Sequence, residues 1–131
     1  SRAVPPSYCG PPNAEVVVIG ERRNEESNYP GAWLPLSTRL TMNVGRALGD
    51  GAFKLGWSNA LEVQPMAVRH ARVLVALGEQ ADTWARYTVG HGNVIALPHP
   101  AWLYRYGNAA DKRAGVERQL RQVAGLTEGG E

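Results

Sequence analysis

The segment Val16-Val17-Val18-Ile19-Gly20 constrains this chain more than any other. Four β-branched apolar residues in a row, closed by a glycine, do not alternate as a half-wet strand would. Such a run predicts a strand buried on both faces, as in a parallel sheet covered by helices. It is strand-sized, far short of the roughly 20 apolar residues that cross a bilayer. A second run, Val73-Leu74-Val75-Ala76-Leu77-Gly78, repeats the form.

Around these two runs the other elements fall into order. Residues 1–14 are rich in proline and glycine and predict an extended lead-in. Residues 21–36 carry Asn28, Pro30, Gly31 and Pro35 and predict a long loop; long loops inside compact domains tend to be functional. Ser37 or Thr38 can cap a helix to about Leu48, with Leu40, Val44, Ala47 and Leu48 at helical spacing. A strand is expected at Trp57–Leu61, stopped by Pro65, and a helix over Glu79–Tyr87. Another strand spans Asn93–Leu97, ended by Pro98. Asn108 can cap a last helix to about Val123, with Val116, Leu120 and Val123 facing inward. A frayed tail is expected over 126–131. The expected fold is one α/β domain over residues 1–131, with a mostly parallel four-stranded sheet and helices on both faces.

Composition limits the classes of function. The net charge is only +2, so charge alone does not demand a nucleic acid. All 14 basic residues except Lys54 and Lys112 are arginine. Arginine suits bidentate phosphate recognition, although codon bias in a GC-rich genome gives the same excess. Cys9 is alone, so an internal disulfide and a cysteine-rich metal site are both excluded, and a reducing compartment fits. Ser1-Arg2-Ala3-Val4-Pro5-Pro6 lacks the apolar stretch of a secretory leader. The expectation is a cytoplasmic monomer with no membrane partner, no metal and no cofactor.

In parallel sheets, ligands bind beyond the carboxyl ends of the strands. Three segments with useful chemistry stand at such ends. Glu21 follows Gly20 directly, where a half-desolvated carboxylate can orient or deprotonate a water; an ordinary loop carboxylate paired with an arginine is the plainer assignment for Glu21 alone. Arg22 and Arg23 can clamp a phosphate, or can be a solvated basic pair. Asn59 sits in an apolar strand beside Trp57, where a buried amide must have its hydrogen bonds met. Its adjacent donor and acceptor match the edge of a pyrimidine. His99 lies between Pro98 and Pro100, which stiffen its backbone and suit it to donate to a developing oxyanion. His70 and His91 lack such framing and are expected to be structural or on the surface. Tyr29, Trp33, Trp102, Tyr104 and Tyr106, with Arg105, suit stacking on unpaired bases, or a lid over the domain's own core. Phosphate-loop, dinucleotide, Ser-His-Asp and metal-ligand patterns are absent.

Together these segments resemble the uracil-DNA glycosylase superfamily, most closely its iron–sulphur branch, over about Glu15 to Val123. Val-Val-Ile-Gly-Glu is similar to that branch's first strand and its Gly-Glu-Ala-Pro-Gly motif. Trp57-Ser58-Asn59-Ala60-Leu61-Glu62-Val63-Gln64-Pro65 is similar to its Ile-Thr-Asn-Val-Val-Lys-Cys-Arg-Pro strand. The stretch from Ala71 to Gly78 is similar to its third strand. Pro98-His99-Pro100-Ala101-Trp102-Leu103-Tyr104-Arg105 resembles its His-Pro-Ala-Tyr-Leu-Leu-Arg box, continued by Lys112-Arg113-Ala114. The resemblance implies a three-layer α/β/α sandwich and a flipped base, because the reacting atoms are hidden inside a stacked duplex. It implies that Glu21 holds or activates the nucleophile and that Asn59, beside Gly20, reads the pyrimidine edge. Trp33 would stack on the base, and His99 would donate to the pyrimidine O2. Arg22, Arg23 and Asn24, with Trp102 and Arg105 of the loop pressed into DNA, would contact the phosphates and the strand.

Two departures bear on the reaction. Val63 stands where the branch has a cluster cysteine, so no iron–sulphur cluster is expected. Arg22 and Arg23 replace the Ala-Pro that lets base and sugar approach closely. The first expectation is therefore a compact uracil-DNA glycosylase. The second is a phage-type enzyme for thymidine hypermodification, which displaces diphosphate from 5-diphosphomethyl-uracil in DNA with an amino acid co-substrate. There Arg22 and Arg23 would suit the leaving group, and Glu21 would take the amine's proton. The third is a non-catalytic DNA-binding module of the same fold.

Overall fold

In the computed structural model, the described residues are 8–21, 55–99 and 109–128. The expected loop over 22–36, the helix over 37–48 and the Asn108 cap lie outside them.

Strands form where the apolar runs stand. β1 is Tyr8–Cys9, β2 Val16–Gly20, β3 Gly56–Asn59, β4 Val73–Leu77 and β5 Val94–Leu97. They make one sheet in the order β1-β3-β2-β4-β5. β3, β2, β4 and β5 run parallel, and the short β1 pairs antiparallel with β3. β2 is therefore paired on both edges, which accounts for its continuous burial and lack of alternation. The architecture is α/β.

Strand alternation sorts the core into two clusters. Val16, Val18, Trp57, Val73, Val75 and Leu77 lie with Val123 of the last helix. Val17, Ile19, Leu74 and Ala76 lie with Val68, Ala81, Ala85 and Val89. The first cluster is thus completed by α3, Ala109–Glu128, and the second by α1, Pro65–Val68, and α2, Glu79–Thr83, which continues as a π turn over Trp84–Thr88. Arg86 ties that turn down by pairing with Asp82 at 2.6 Å and donating to the Val94 carbonyl.

Several boundaries differ from the sequence expectation. Residues 8–9 of the supposed lead-in form an edge strand, and the Tyr8 hydroxyl donates to the Pro11 carbonyl at 2.5 Å. β3 ends at Asn59 rather than Leu61, because the Asn59 carbonyl accepts from the N–H groups of both Glu62 and Val63 and turns the chain. Pro65 does not stop a strand but opens α1, at a position where a missing N–H costs nothing. The last helix runs to Glu128, past the expected end near Val123 and into the expected tail. Gly125 lowers helix propensity there, but only proline would break the ladder. Of its expected inward face, Val123 is buried; Val116 and Leu120 have side chains outside the described set.

Leu74 of β4 is fully buried within the second core cluster. Leu74→Ala is expected to cost about 2–5 kcal/mol in urea unfolding. The exposed Tyr87→Ala is expected to stay within about 0.5 kcal/mol.

Candidate functional site

The strand order sets a change of direction at a defined place. After β2 the chain moves to one side of it, to β3; after β4 it moves to the other side, to β5. The carboxyl ends of β2 and β4 are therefore a topological switch point, the place where open α/β sheets bind their ligands. Glu21 stands at the end of β2 and Gly78 at the end of β4.

His99 is carried over that point. The Gly78 N–H donates to the Leu97 carbonyl at 2.9 Å, which holds the end of β5 against the end of β4. The His99 ring then lies on Gly78: a Cβ added there would stand 3.0 Å from His99 Cβ and 3.1 Å from Cδ2. Gly78 also has φ +98° and ψ 168°, a region essentially reserved for glycine. Two independent constraints thus require glycine at this position. From the other side, Gln119 of α3 is buried and donates through Nε2 to the Pro98 carbonyl.

His99 and Glu21 are close enough to interact electrostatically. Burial lowers the His99 pKa below its ordinary value, and the Glu21 charge raises it in partial compensation. The net direction is downward, so His99 is a neutral imidazole at neutral pH. That state still carries one N–H, and it makes hydrogen-bond donation, not a standing positive charge, its contribution.

Asn59 closes the third side. The register sets it opposite Gly20, and Gly20 and Glu21 accept from the N–H groups of Ala60 and Leu61 at 2.8 and 3.0 Å. Asn59 is fully buried (0% exposed), and its Nδ2 donates to Glu62 Oε2 at 3.2 Å. Its Oδ1 is buried with no partner among the described residues. An unpaired buried acceptor costs about 1–3 kcal/mol, so such a group is rarely retained without a use. From β3 to the end of β4 is two strand spacings, roughly 10 Å. That is about the span of one pyrimidine ring with a hydrogen bond at each side.

The structure thus brings together Gly20, Glu21, Asn59 and His99 of the expected site. Arg22, Arg23, Asn24, Trp33, Trp102 and Arg105 lie outside the described residues. His91 is structural, as expected: its Nδ1 accepts from the Asn93 N–H, so its Nε2 is the protonated nitrogen and donates to the Ala71 carbonyl at 2.6 Å. His70 is exposed. Three supporting residues escaped the sequence reading: Gly78 as the seat of His99, Gln119 and Glu62. Gln119 stands four residues before Val123 on the helix face that packs inward, a polar interruption that could have marked it. No protein-family model matches the chain, and no curated protein matches it at a significant level.

Two outcomes test this geometry. Gly78→Ala is expected to destabilise the fold by about 1–3 kcal/mol and to shift the His99 ring resonances. Gly90→Ala also places a side chain at positive φ, but into open space, and should leave His99 unmoved. The second outcome is a pH dependence. Because folding lowers the His99 pKa, the unfolded chain binds the proton more readily. The contribution of His99 is therefore complete above the ordinary histidine value of about 6.5 and is lost as pH falls through that value towards the lower folded-state one. Melting temperatures from pH 8 to 5 should fall less steeply in His99→Asn than in the wild type.

Proposed function

We propose that this protein acts on DNA bases and binds a flipped uracil-type pyrimidine between Asn59 and His99. The observation that carries this reading is the fully buried Asn59 amide, at the strand position paired with Gly20, with no partner for Oδ1 among the described residues. Asn59 has one N–H committed to Glu62, which leaves an acceptor and a donor side by side. Uracil offers the complement, N3–H beside O4. The resemblance to the uracil-DNA glycosylase superfamily supports the same ligand, and the apolar clusters on both sheet faces are consistent with its three-layer sandwich.

The reaction this geometry serves best is hydrolysis of the N-glycosidic bond. Glu21 orients a water and takes its proton as the water oxygen bonds to C1′. The bond from C1′ to N1 breaks, and its electron pair leaves on the base. Charge builds on O2, to which neutral His99 donates; this preorganised donor stabilises the leaving anion without reorganisation. The carboxylate also stabilises positive charge on the sugar. Flipping the base is a prerequisite, since neither C1′ nor the pyrimidine edge is accessible within the stack. The alternative displacement of diphosphate from 5-diphosphomethyl-uracil rests on the adjacent arginines Arg22 and Arg23, and it uses the same base pocket.

Uracil-containing single- and double-stranded oligonucleotides, incubated with the protein and treated with alkali, should be cleaved at the uracil. His99→Ala and Asn59→Ala should each slow cleavage by about 100-fold or more, with unchanged circular dichroism. Intact strands with the wild type would sink the glycosylase reading. Mass spectrometry after reaction with diphosphomethyl-uracil DNA and glycine would then decide for or against transfer.

A further inference from the structure

The turn after β3 does more than end a strand. By accepting from Glu62 N–H and Val63 N–H at 3.1 Å each, the Asn59 carbonyl folds residues 60–63 back on themselves. This returns the Glu62 side chain to the Asn59 side chain, where Oε2 accepts from Nδ2 at 3.2 Å. Glu62 is half-buried, so the contact is shielded without being sealed. A carboxylate only accepts hydrogen bonds, whereas an asparagine amide donates at one end and accepts at the other. Turning the amide over would set Oδ1 against Oε2, two acceptors with no proton between them. The contact therefore has one allowed sense: nitrogen towards Glu62, with Oδ1 left to the buried site, where it has no partner among the described residues.

We propose that Glu62 is a positioning residue that locks the Asn59 amide in one orientation and so restricts the pocket to ligands with an N–H beside a C=O. This rests on the pyrimidine reading of the site and adds its selectivity. Uracil and thymine-type bases present the lactam edge, with N3–H meeting Oδ1 and O4 meeting the remaining Nδ2–H. Cytosine presents the reverse, a bare N3 beside an NH2 group. To bind it, the amide would have to turn over, and Glu62 opposes that. Asn59 alone cannot choose between these bases, because a free amide serves both by rotating half a turn. The selectivity is thus placed outside the group that touches the base.

The test uses the full chain with free uracil and free cytosine as probes, followed in ¹⁵N spectra by the Asn59 side-chain NH2 pair. Single-stranded oligonucleotides carrying one uracil or one cytosine form a second arm. The wild type is expected to favour uracil by about 100-fold or more. Glu62→Gln still offers an acceptor and should keep that ratio within about threefold. Glu62→Leu, which frees the amide, should lower the ratio by about tenfold or more. Glu62→Lys, which offers a donor, should lower it further. The Asn59 NH2 signals should move in the Leu variant and not in the Gln variant, with no ligand present. A Leu variant that stays folded and keeps the full uracil preference, or leaves those signals unmoved, overturns the role of Glu62 while the pyrimidine pocket stands. A wild type that binds neither base, free or in DNA, overturns the pocket reading and this proposal with it. Uracil bound as a free base but not in DNA supports the role of Glu62 and counts against DNA as the substrate.

Discussion

Pairing of β2 on both edges is the constraint on which the rest depends. β3 and β4 are not neighbours of each other; each is held only through β2 or an outer strand. The Val18–Trp57 and Gly20–Asn59 register sets the height of Asn59, and the Val18–Val75 register sets the height of Gly78. A slip of one residue on either edge would exchange the two faces of a strand and carry a site group away from the mouth. The buried, β-branched sequence of β2 guards against that slip, because both of its faces are packed and neither tolerates exchange. The same property that makes the strand legible also fixes where the chemistry stands.

At the mouth of the sheet two electrostatic effects act on His99 in opposite senses. Burial disfavours the imidazolium, and the nearby Glu21 carboxylate favours it. Burial prevails, which separates the roles of the pair. A neutral ring carries one N–H and no standing charge, which is the state the proposed role of His99 requires. Gly78 and Gln119 give this ring its place: one removes the side chain that would stand against it, and the other holds the carbonyl of the residue before it.

β2 and β4 were readable because full burial on both faces leaves a continuous apolar run closed by a glycine, and β5 because Pro98 follows it; the end of β3 was not, because a turn at the Asn59 carbonyl, not a proline, sets it. Asn59 and His99 were readable as polar residues at those ends. Their supports were not. Glu62 acts through a turn whose hydrogen bonds begin at the Asn59 carbonyl, and in sequence it is one more charged residue after a strand. Gln119 is legible as a polar residue on the inward face of its helix, but its partner Pro98, 21 residues away, is not. Gly78 was legible as a strand terminator, but the need for a missing side chain arises only when β5 is laid beside β4 and brings His99 across. The short β1 and α1 escaped because two and four residues are too few to show a period.

On the proposed reading, recognition and reaction are encoded in different parts of this chain. The proposed base-reading edge would come from the end of β3 and the turn that follows it, where the Asn59 carbonyl accepts from Glu62 and Val63 and the Asn59 amide donates to Glu62. The bond to be broken would be decided by what stands next to Glu21, where the sequence has Arg22 and Arg23. Two guanidinium groups beside a reacting sugar would oppose the positive charge that glycosidic cleavage develops there. The same groups would stabilise a departing diphosphate. A pocket specific for a lactam edge is compatible with either outcome, since both uracil and its 5-substituted forms present N3–H beside O4. The proposed base thus rests on Asn59 and Glu62, and the charge that accumulates in the transition state, on the sugar or on a leaving group at C5, would distinguish the two proposed reactions.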